Sequence, residues 1–426
     1  ATFRRTVRQG LDSLQKKNWH AACKERRARN ARAQPGSHIH MQTVATHAAE
    51  LFASSLALSA LSVVLLSRIA PLIGIVDVPG GRKQHVGAIP LVGGLAIFSA
   101  MVVAPAASDV APLASWFVLA ASIVIAVGFW DDVTELSPRM KLVIQVIASA
   151  IMIWGADVQL QSVGDLFGFR PIGLWIFAVP MTIFAVVGVV NAINMMDGMD
   201  GLAGSMSFTA FGWYAIVALD ARLTGQFQTA LLLCGGIAGF LLFNLRFPWQ
   251  RRARVFLGDA GSLMIGFALG WFAIDLTQGP GRTFPPIAAV WVLFLPLADC
   301  VSLLIRRLRM GKSPFVADRH HIHHYLLDRG FTPSQALAIL TGACVLSGAV
   351  GYLGWRLHVP EPLLFWAFAA SFVAYHLWIG RAWKRLDAPR LVESRSTVKS
   401  QALVDVPAFA QVEGLIGAEQ AAVSAT

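Results

Sequence analysis

The feature that most constrains the fold of this chain is a series of long apolar segments separated by short polar loops. A segment of roughly 17–25 apolar residues is long enough to cross the hydrocarbon core of a bilayer as an α-helix. About eleven such segments can be traced, and they predict an all-α polytopic membrane protein with that number of transmembrane helices. The segments lie near residues 46–70, 88–106, 112–130, 140–156, 172–190, 205–220, 227–245, 261–276, 284–305, 335–355 and 361–380.

The amino-acid composition independently places the chain among membrane proteins. Of its residues, 56% are hydrophobic and 14% are charged, whereas soluble domains average about 45–50% apolar and about 25% charged residues. The formal net charge of +11 does not indicate nucleic-acid binding, because basic residues that flank apolar segments follow the positive-inside rule. The cysteines lack the spacing of metal ligands or of a disulfide framework, and we interpret them as inert thiols: Cys23, Cys234, Cys300 and Cys344.

The loops between the apolar segments alternate in charge. Every second loop is basic, with clusters such as Arg251–Arg254 and Arg306–Lys312, and the intervening loops carry single arginines such as Arg170 and Arg222. The positive-inside rule assigns the basic loops to the cytoplasm. Because the number of segments is odd, the chain is predicted to have its N-terminus outside and its C-terminus in the cytoplasm.

Both ends of the chain differ in composition from its apolar part. Residues 1–40 contain ten Lys and Arg, which conflicts with a position outside the membrane. We therefore interpret 1–40 as a basic extension absent from the native protein, with translation starting at Met41; an Arg-rich transit peptide is the alternative. Residues 41–390 are predicted to form one multispan domain, and residues 391–426 a mobile cytoplasmic tail.

Unusual polar residues collect at the cytoplasmic ends of the segments. Placing polar groups at the boundary of the bilayer costs free energy, so these residues are candidates for function. Asp131 and Asp132 close the third segment, and Lys141 follows nine residues later. Two adjacent carboxylates repel each other and need a cation or a shared proton. The alternative, ordinary solvated acids at a helix C-terminus, is weakened because such acids oppose the helix dipole.

The richest polar cluster lies between the fifth and sixth segments. Asn191, Asn194, Asp197 and Asp200 recur at three-residue spacing and are interrupted by glycines. Their oxygens suit Mg²⁺, with Mn²⁺ as an alternative, and the glycines permit close approach of a diphosphate to the backbone. A calcium loop of the EF-hand type does not fit the residue pattern.

Two further clusters lie on the same predicted face. Asp259 precedes the eighth segment, where it is either a helix cap or a metal ligand, and arginines suited to anionic phosphates lie just upstream. Four histidines occupy residues 320–324 without a nearby cysteine, which favours phosphate binding by imidazole and Arg319 over a zinc site. Arg82 and Lys83 add positive charge to this face.

Taken in order, these motifs resemble the polyprenyl-phosphate N-acetylhexosamine-1-phosphate transferase superfamily, also called the glycosyltransferase 4 family. The resemblance runs from Asp77 to Leu326 through D-x-P-x-x-R-K-x-H, G-x-x-D-D, N-x-x-N-x-x-D-G-x-D-G-L, F-x-G-D-x-G-S and H-I-H-H. The form D-R-x-H-I-H-H is most similar to the bacterial undecaprenyl-phosphate N-acetylglucosaminyl-1-phosphate transferases. Muramoyl-pentapeptide transferases typically carry a different triple-histidine segment.

The resemblance implies roles for these residues. Metal ligands would be Asp259 and Asn194. Catalytic residues would be Asp131, Asp132, Asp197, Lys141, His321, His323 and His324. Substrate-binding residues would be Asp200, Asn191, Asn244, Phe256, Arg319, Arg82 and Lys83, with Asp200 and Asn244 reading the uracil and Phe256 stacking on it.

The implied reaction transfers a HexNAc-1-phosphate, most often GlcNAc-1-phosphate, from a UDP-sugar to undecaprenyl phosphate with release of UMP. It would use Mg²⁺, start a lipid-linked cell-surface glycan, and take place on the cytoplasmic face of the bacterial inner membrane. UDP-FucNAc, UDP-QuiNAc and UDP-MurNAc-pentapeptide are alternative donors. Direct attack by the lipid phosphate with Asp131 as base is favoured, and a route through an aspartyl-phosphate stays open. A membrane transporter is the rival class, and a homodimer is compatible with the sequence.

Overall fold

The computed structural model describes residues 37–78, 87–107, 113–134, 136–279, 282, 284–313 and 320–404, and the side chains within those ranges from residue 47 to residue 386. Arg82, Lys83 and Arg319 lie outside this part, as do most of the predicted N-terminal extension and the end of the predicted tail. The division of the chain at residues 40 and 390 therefore stays a prediction.

Within the described part, α-helices dominate, as the sequence predicts. A two-stranded antiparallel sheet, with Val76 opposite Pro90, and a 3₁₀ turn at Trp175–Phe177 complete it. The strands are β1 (Val76–Asp77) and β2 (Ile89–Pro90). The helices are α1 (Ser37–Ile73), α2 (Gly93–Ala107), α3 (Ser115–Thr134), α4 (Pro138–Ala156), α5 (Ala178–Met196), α6 (Leu202–Asp220), α7 (Thr224–Asn244), α8 (Gly258–Asp275), α9 (Pro286–Val292), α10 (Phe294–Arg309), α11 (Ile322–Asp328), α12 (Pro333–Arg356) and α13 (Glu361–Val404).

Eight of these helices are long and apolar enough to cross a bilayer, or nine spans if the bent pair α9 and α10 counts as one, within the described residues. Every predicted segment contains α-helix over most of its described length, but the count of eleven is not confirmed. Helix α2, predicted over 88–106, has only 15 residues, which at about 1.5 Å per residue is short for a span. Helix α8, predicted over 261–276, is not among the eight spans. It carries an acidic residue near each end, Asp259 and Asp275.

Helix α8 is the centre of the structure up to Phe372. All of its side chains except those of Asp259, Ala273 and Asp275 are buried. It packs against α2, α3, α5 and α6, so almost no part of it is left to face lipid. Its small residues explain this position, because Gly and Ala let helix backbones approach closely in a membrane.

Two glycine contacts bring α2 and α3 directly onto the first turn of α8. A Cβ atom on Gly94 would lie 2.3 Å from the backbone nitrogen of Gly261, and one on Gly128 would lie 2.5 Å from Cα of Ala260. The backbone also joins these elements, since the N–H of Gly94 donates to the carbonyl oxygen of Leu257 at 3.0 Å. Asp259, which lies in this first turn of α8, is thereby fixed relative to α2 and α3.

The predicted ninth segment, 284–305, is broken. Helices α9 and α10 meet at Leu293 with an angle of 83° between them. Pro296 falls in the first turn of α10, where a missing N–H disturbs no intrahelical hydrogen bond, so the new helix can begin at this point. An apolar run does not reveal such a break by itself, because the segment is apolar on both sides of Leu293.

The chain divides into two compact units, residues 1–372 and 373–426. Helix α13 begins in the first unit, where the indole Nε1–H of Trp291 donates to the carbonyl oxygen of Leu364 at 3.1 Å. The second unit, as far as it is described, is the remainder of α13.

Candidate active site

The carboxylate of Asp259 is the centre of a polar cluster at the first turn of α8. Its Oδ2 accepts a hydrogen bond from the ammonium group of Lys141 at 2.7 Å. Its Oδ1 accepts one from Nδ2 of Asn194 at 2.8 Å, and the same amide group donates to Oγ of Ser262 at 2.9 Å. Residues from α4, α5 and α8 thus meet at one carboxylate.

Asp131 holds Lys141 from the other side. It forms an ion pair with the ammonium group, and its Oδ1 accepts the backbone N–H of Leu136 at 2.6 Å. The side chain is buried, with 5% of its surface exposed. The turn between α3 and α4 is fixed locally, because Ser137 caps α4 and Pro138 occupies its first position. Lys141 is therefore placed between two carboxylates by a rigid turn.

Asp132 is engaged by the backbone of α8. Its Oδ1 accepts the N–H of Asp259 at 2.7 Å, and its Oδ2 accepts the N–H of Ala260 at 3.1 Å. The first N–H groups of a helix have no intrahelical partner, so a carboxylate from α3 satisfies two of them. Gly258, with φ of +74° and its α-carbon close to this carboxylate, makes the approach possible. These contacts show that Asp132 positions the first turn of α8. Its catalytic role stays a prediction.

Asp197 is the unpaired carboxylate of the site. It follows α5, is exposed to solvent, and has no hydrogen-bond or ion-pair partner among the described residues. Its pKa is raised to about 8, first by desolvation among the surrounding protein atoms and then by the negative charges of Asp259, Asp132 and Asp200. A positive charge entering the site would relieve this repulsion.

Two other predicted residues, Asn191 and Asn244, make hydrogen bonds that hold the loop 197–201 and its neighbours. Nδ2 of Asn191 donates to Oε1 of Gln145 and to the carbonyl oxygen of Val187, both at 2.8 Å, so its amide links α5 to α4 rather than to the carboxylates. Asn244 is buried, accepts the N–H of Gly201 at 2.8 Å and donates to a backbone carbonyl at 2.8 Å. Each functional group of this amide thus makes one hydrogen bond within the protein, and that Asn244 contacts uracil stays a prediction.

Asp200 and Phe256 lie on the two edges of this region. Oδ2 of Asp200 accepts from Nε of Arg246 at 2.7 Å and from the backbone N–H of Ala253 at 3.2 Å. The backbone of Phe256 is tied to β2, since its N–H donates to Pro90 at 2.9 Å. That these two residues bind uracil stays a prediction.

The histidine segment reaches the same loop. His323 is 1% exposed, and neither of its ring nitrogens has a hydrogen-bond partner within the described part of the chain. A Cβ atom on Gly198 would lie 2.6 Å from Nε2 of His323, so only glycine fits there. The pKa of His323 is lowered well below the usual value, first by burial and then by the neighbouring His324 and His321. The ring is therefore a neutral, unsatisfied group against the loop that bears Asp197.

The comparisons with known proteins agree with this geometry. The family model for glycosyl transferase family 4 matches residues 114–277, a range that contains the carboxylates of α3, the asparagines of α5 and Asp259. A transferase of Salmonella typhi is 36% identical over 325 residues, covering 75% of this chain and 88% of the relative. One of Yersinia pestis is 35% identical over 351 residues, covering 81% and 94%, and one of Haemophilus influenzae is 34% identical over 325 residues, covering 76% and 92%.

The chain belongs to glycosyl transferase family 4. The three relatives carry the name undecaprenyl-phosphate alpha-N-acetylglucosaminyl 1-phosphate transferase. The family resemblance seen in the motifs is confirmed, and with it the assignment of the chain to the membrane transferases rather than to the transporters.

The residues of this family 4 transferase fit a Mg²⁺ ion. Among the described residues no three His, Cys, Asp or Glu side chains form a ready-made metal site, but Mg²⁺ commonly binds through one or two carboxylates, waters and substrate phosphates. Asp259 supplies a carboxylate, and Asn194 has its Oδ1 left because its Nδ2 already donates. The pKa of Asp197 is raised first by desolvation and then by the negative charges of Asp259, Asp132 and Asp200, and a divalent cation would offset those charges.

The structure brings together the predicted residues Asp131, Asp132, Lys141, Asn194 and Asp259, with Asp197 beside them. Three residues that the sequence did not single out contact predicted residues of the family 4 site. Gln145 contacts Asn191, Arg246 contacts Asp200, and Asp299 contacts His321. The last could have been found, because an ionisable residue inside an apolar segment is by default a functional candidate. Gln145 and Arg246 gave no such signal, since Gln145 is not ionisable and a single arginine at a segment end is common.

Proposed function

We propose that this protein transfers GlcNAc-1-phosphate from UDP-GlcNAc to undecaprenyl phosphate, releases UMP, and so starts a lipid-linked cell-surface glycan. The names of relatives that the chain covers over about nine-tenths of their length support the reaction. The observation that carries it is the junction of Lys141, Asp131, Asn194 and Asp259 at one end of α8. Such a junction is suited to a diphosphate and its metal ion.

The reaction joins two polyanions, so the protein must neutralise charge and align groups more than it must supply covalent chemistry. Bound Mg²⁺, held by Asp259 and Asn194, would stabilise the negative charge that develops on the diphosphate. Lys141 would shift from its two carboxylates toward a diphosphate oxygen. Asp132 keeps Asp259 in place through the backbone of α8.

Asp197 is better placed than Asp131 to meet the acceptor phosphate. Asp131 is 5% exposed and both of its oxygens are engaged, by Lys141 and by the N–H of Leu136. Asp197 is exposed and has no hydrogen-bond or ion-pair partner among the described residues. A carboxylate in that position can accept a proton from the arriving lipid phosphate or bind the metal ion beside it.

In the direct route, an oxygen of the lipid phosphate forms a bond to the β-phosphorus of the UDP-sugar, and the bond from that phosphorus to the oxygen of UMP breaks. No covalent enzyme intermediate is needed. An aspartyl-phosphate route would instead leave a labelled enzyme when the donor is supplied without lipid. Absence of such label in a preparation that is active with lipid would support the direct route.

We place the site on the cytoplasmic face of a bacterial inner membrane. The helix ends that meet at Asp259 are also the basic ends, with Arg139, Arg246 and the arginines at the end of α10. The opposite ends carry single arginines such as Arg222 and Arg356. This distribution follows the positive-inside rule.

The function is tested with purified protein in nanodiscs, undecaprenyl phosphate, Mg²⁺ and radiolabelled UDP-GlcNAc, with lipid-linked label and UMP as readouts. Asp259→Asn should lower transfer by about 100-fold or more, the scale expected when one electrostatic contact to the transition state is lost. Asp275→Asn, an acid at the other end of the same helix, is the matched control and should stay within about twofold of wild type, a change of about 0.4 kcal/mol.

Each result separates the alternatives. Transfer from UDP-FucNAc, UDP-QuiNAc or UDP-MurNAc-pentapeptide but not from UDP-GlcNAc would keep the reaction and replace the donor. No transfer from any UDP-sugar, by protein that is monodisperse and well folded, would contradict the proposal.

A further inference from the structure

A buried carboxylate outside the cluster just described controls the histidine segment. Asp299 lies on α10 and is 0% exposed. Its Oδ2 lies within hydrogen-bond distance of Nδ1 of His321, at 2.8 Å, and its Oδ1 accepts the backbone N–H of Ile322 at 3.2 Å. Both oxygens of one buried carboxylate thus hold a segment 22 residues further along the chain.

Backbone anchoring alone does not account for Asp299. The guanidinium of Arg306, two turns further along α10, already holds this segment by donating to the carbonyl oxygen of His320 at 2.7 Å. A carboxylate buried in an apolar helix is costly, and its retention points to function. What it adds is the bond to the imidazole, which sets the side chain of His321.

The bond also selects the form of the ring. A carboxylate oxygen that carries no proton only accepts hydrogen bonds, so in this pair the proton would lie on Nδ1 of His321 and the free lone pair on Nε2. Carboxylate–imidazole pairs of this kind commonly fix the tautomer and orientation of a functional histidine. Nε2 is therefore the ring atom that His321 has left for a ligand.

The position of His321 links this pair to the proposed site. Its ring stacks on that of His323, with centroids 5.5 Å apart and an angle of 12° between the planes. His323 in turn lies against Gly198 in the loop that carries Asp197. The residue after Asp299, Cys300, contacts Met195 of α5 at 3.6 Å between sulfurs, so α10 lies alongside the last turn of α5.

We propose that Asp299 is a positioning residue of the transferase, which acts through His321 by holding its Nδ1–H and presenting Nε2 to the sugar or diphosphate of the donor. Asp299 itself does not touch substrate. The proposal rests on the proposed function for its effect on rate. Its structural part, the tautomer of His321, can be measured independently of any activity.

Asp299→Asn is a sharp test, because it changes one hydrogen bond and preserves the other. The amide oxygen can still accept the N–H of Ile322, which leaves the NH₂ group facing Nδ1 of His321. The ring must then move its proton to Nε2. Loss of a supporting carboxylate of this kind typically lowers activity by about 10–100-fold, and we expect that fall in kcat/KM with little change in the melting temperature.

Two further variants distinguish positioning from general stability. In a His321→Ala background, Asp299→Asn should change kcat/KM by no more than about twofold, since a residue that acts through another is non-additive with it. Cys300→Ala, a neighbouring buried change on α10, should retain activity within about twofold. An equal loss in both backgrounds would overturn the proposal, as would wild-type activity in Asp299→Asn.

The tautomer supplies the readout that does not depend on turnover. In protein with ¹⁵N-labelled histidine in nanodiscs at alkaline pH, the resonances of His321, assigned by their loss in His321→Ala, should show Nδ1 protonated in wild type and Nε2 protonated in Asp299→Asn. Nε2 protonation in wild type would overturn the proposal. Absent transfer from every donor, with the expected tautomers, would instead reject the proposed function alone.

Discussion

Nζ of Lys141 and Oδ2 of Asp259 lie 2.7 Å apart although 118 residues separate them in the chain. The contact joins the first turns of α4 and α8, and the ammonium group also pairs with Asp131. A single cation therefore pairs with two carboxylates in the free protein. When a diphosphate and its metal ion arrive, the same cation is available to the substrate.

Replacing this cation should abolish most of the activity. Lys141→Met leaves Asp131 and Asp259 facing each other without compensation, and it removes a donor to the diphosphate. We expect transfer to fall by about 100-fold or more, with only partial recovery in Lys141→Arg, because a planar guanidinium does not replace a compact ammonium. Steady-state kinetics over a range of Mg²⁺ concentrations check this; full recovery of Lys141→Met at high Mg²⁺ would contradict a role at the substrate.

Asp132 should act on stability as well as on rate. Asp132→Ala removes the acceptor for the N–H groups of Asp259 and Ala260, and loss of a helix N-terminal acceptor typically costs about 0.5–2 kcal/mol. A lower melting temperature in detergent should therefore accompany the loss of transfer. If Asp132 instead serves directly in the chemistry, activity would disappear at an unchanged melting temperature.

The stability of the metal-free protein should fall as pH rises from about 3.8 toward about 8. The pKa of Asp197 is raised from 3.8 to about 8, so between these values the folded protein holds a proton that the unfolded chain has released. Stability from this group is fully present below pH 3.8 and is lost as the folded protein ionises near pH 8. Melting temperatures measured with a chelator across this range, for wild type and Asp197→Asn, provide the check.

The contribution is moderated by solvent, because Asp197 is exposed. Asp197→Asn should flatten the decline toward alkaline pH. An unchanged pH profile in this variant would show that another group causes the decline.

The contact between α2 and α8 should tolerate no added atom. Gly94→Ala would place a Cβ atom 2.3 Å from the backbone nitrogen of Gly261, and overpacking against a backbone that cannot move typically costs about 1–3 kcal/mol or more. Lower expression and a lower melting temperature are expected. Gly212→Ala is the control, since a Cβ atom there meets nothing within 4 Å; equal melting temperatures for the two variants would refute the close contact.

Much of the fold follows from the sequence for a simple physical reason. A long apolar run inside a bilayer has to satisfy its backbone hydrogen bonds internally, so every one of the eleven predicted segments contains α-helix over most of its described length. Apolar character does not specify continuity, and the break at Leu293 is therefore invisible in the sequence. Nor does it specify which helix is central: α8 is surrounded by other helices, while its polar ends make it look like a marginal span.

The sequence predicted which residues form the site better than it predicted the contacts that each residue makes. Charge alternation along the loops placed Asp131, Lys141, Asn194 and Asp259 on one face, and the structure joins them. Spacing does not reveal which way an amide or carboxylate points. The engagement of Asn244 by backbone groups, and of Asp132 by the first turn of α8, depends on contacts between residues far apart in the chain.

The glycine junction of α2, α3 and α8 has a consequence for how such an enzyme can change its donor. The backbone at Gly94 and Gly128 packs directly against the backbone of α8. No side chain lies at these contacts, so single substitutions cannot change the size or orientation of one. The backbone around Asp259 is therefore held in one position, and both substrates must bind next to it. Selection or engineering of a new sugar preference would therefore act through the histidine segment and its support on α10, the parts of the site that side chains rather than backbone hold in place.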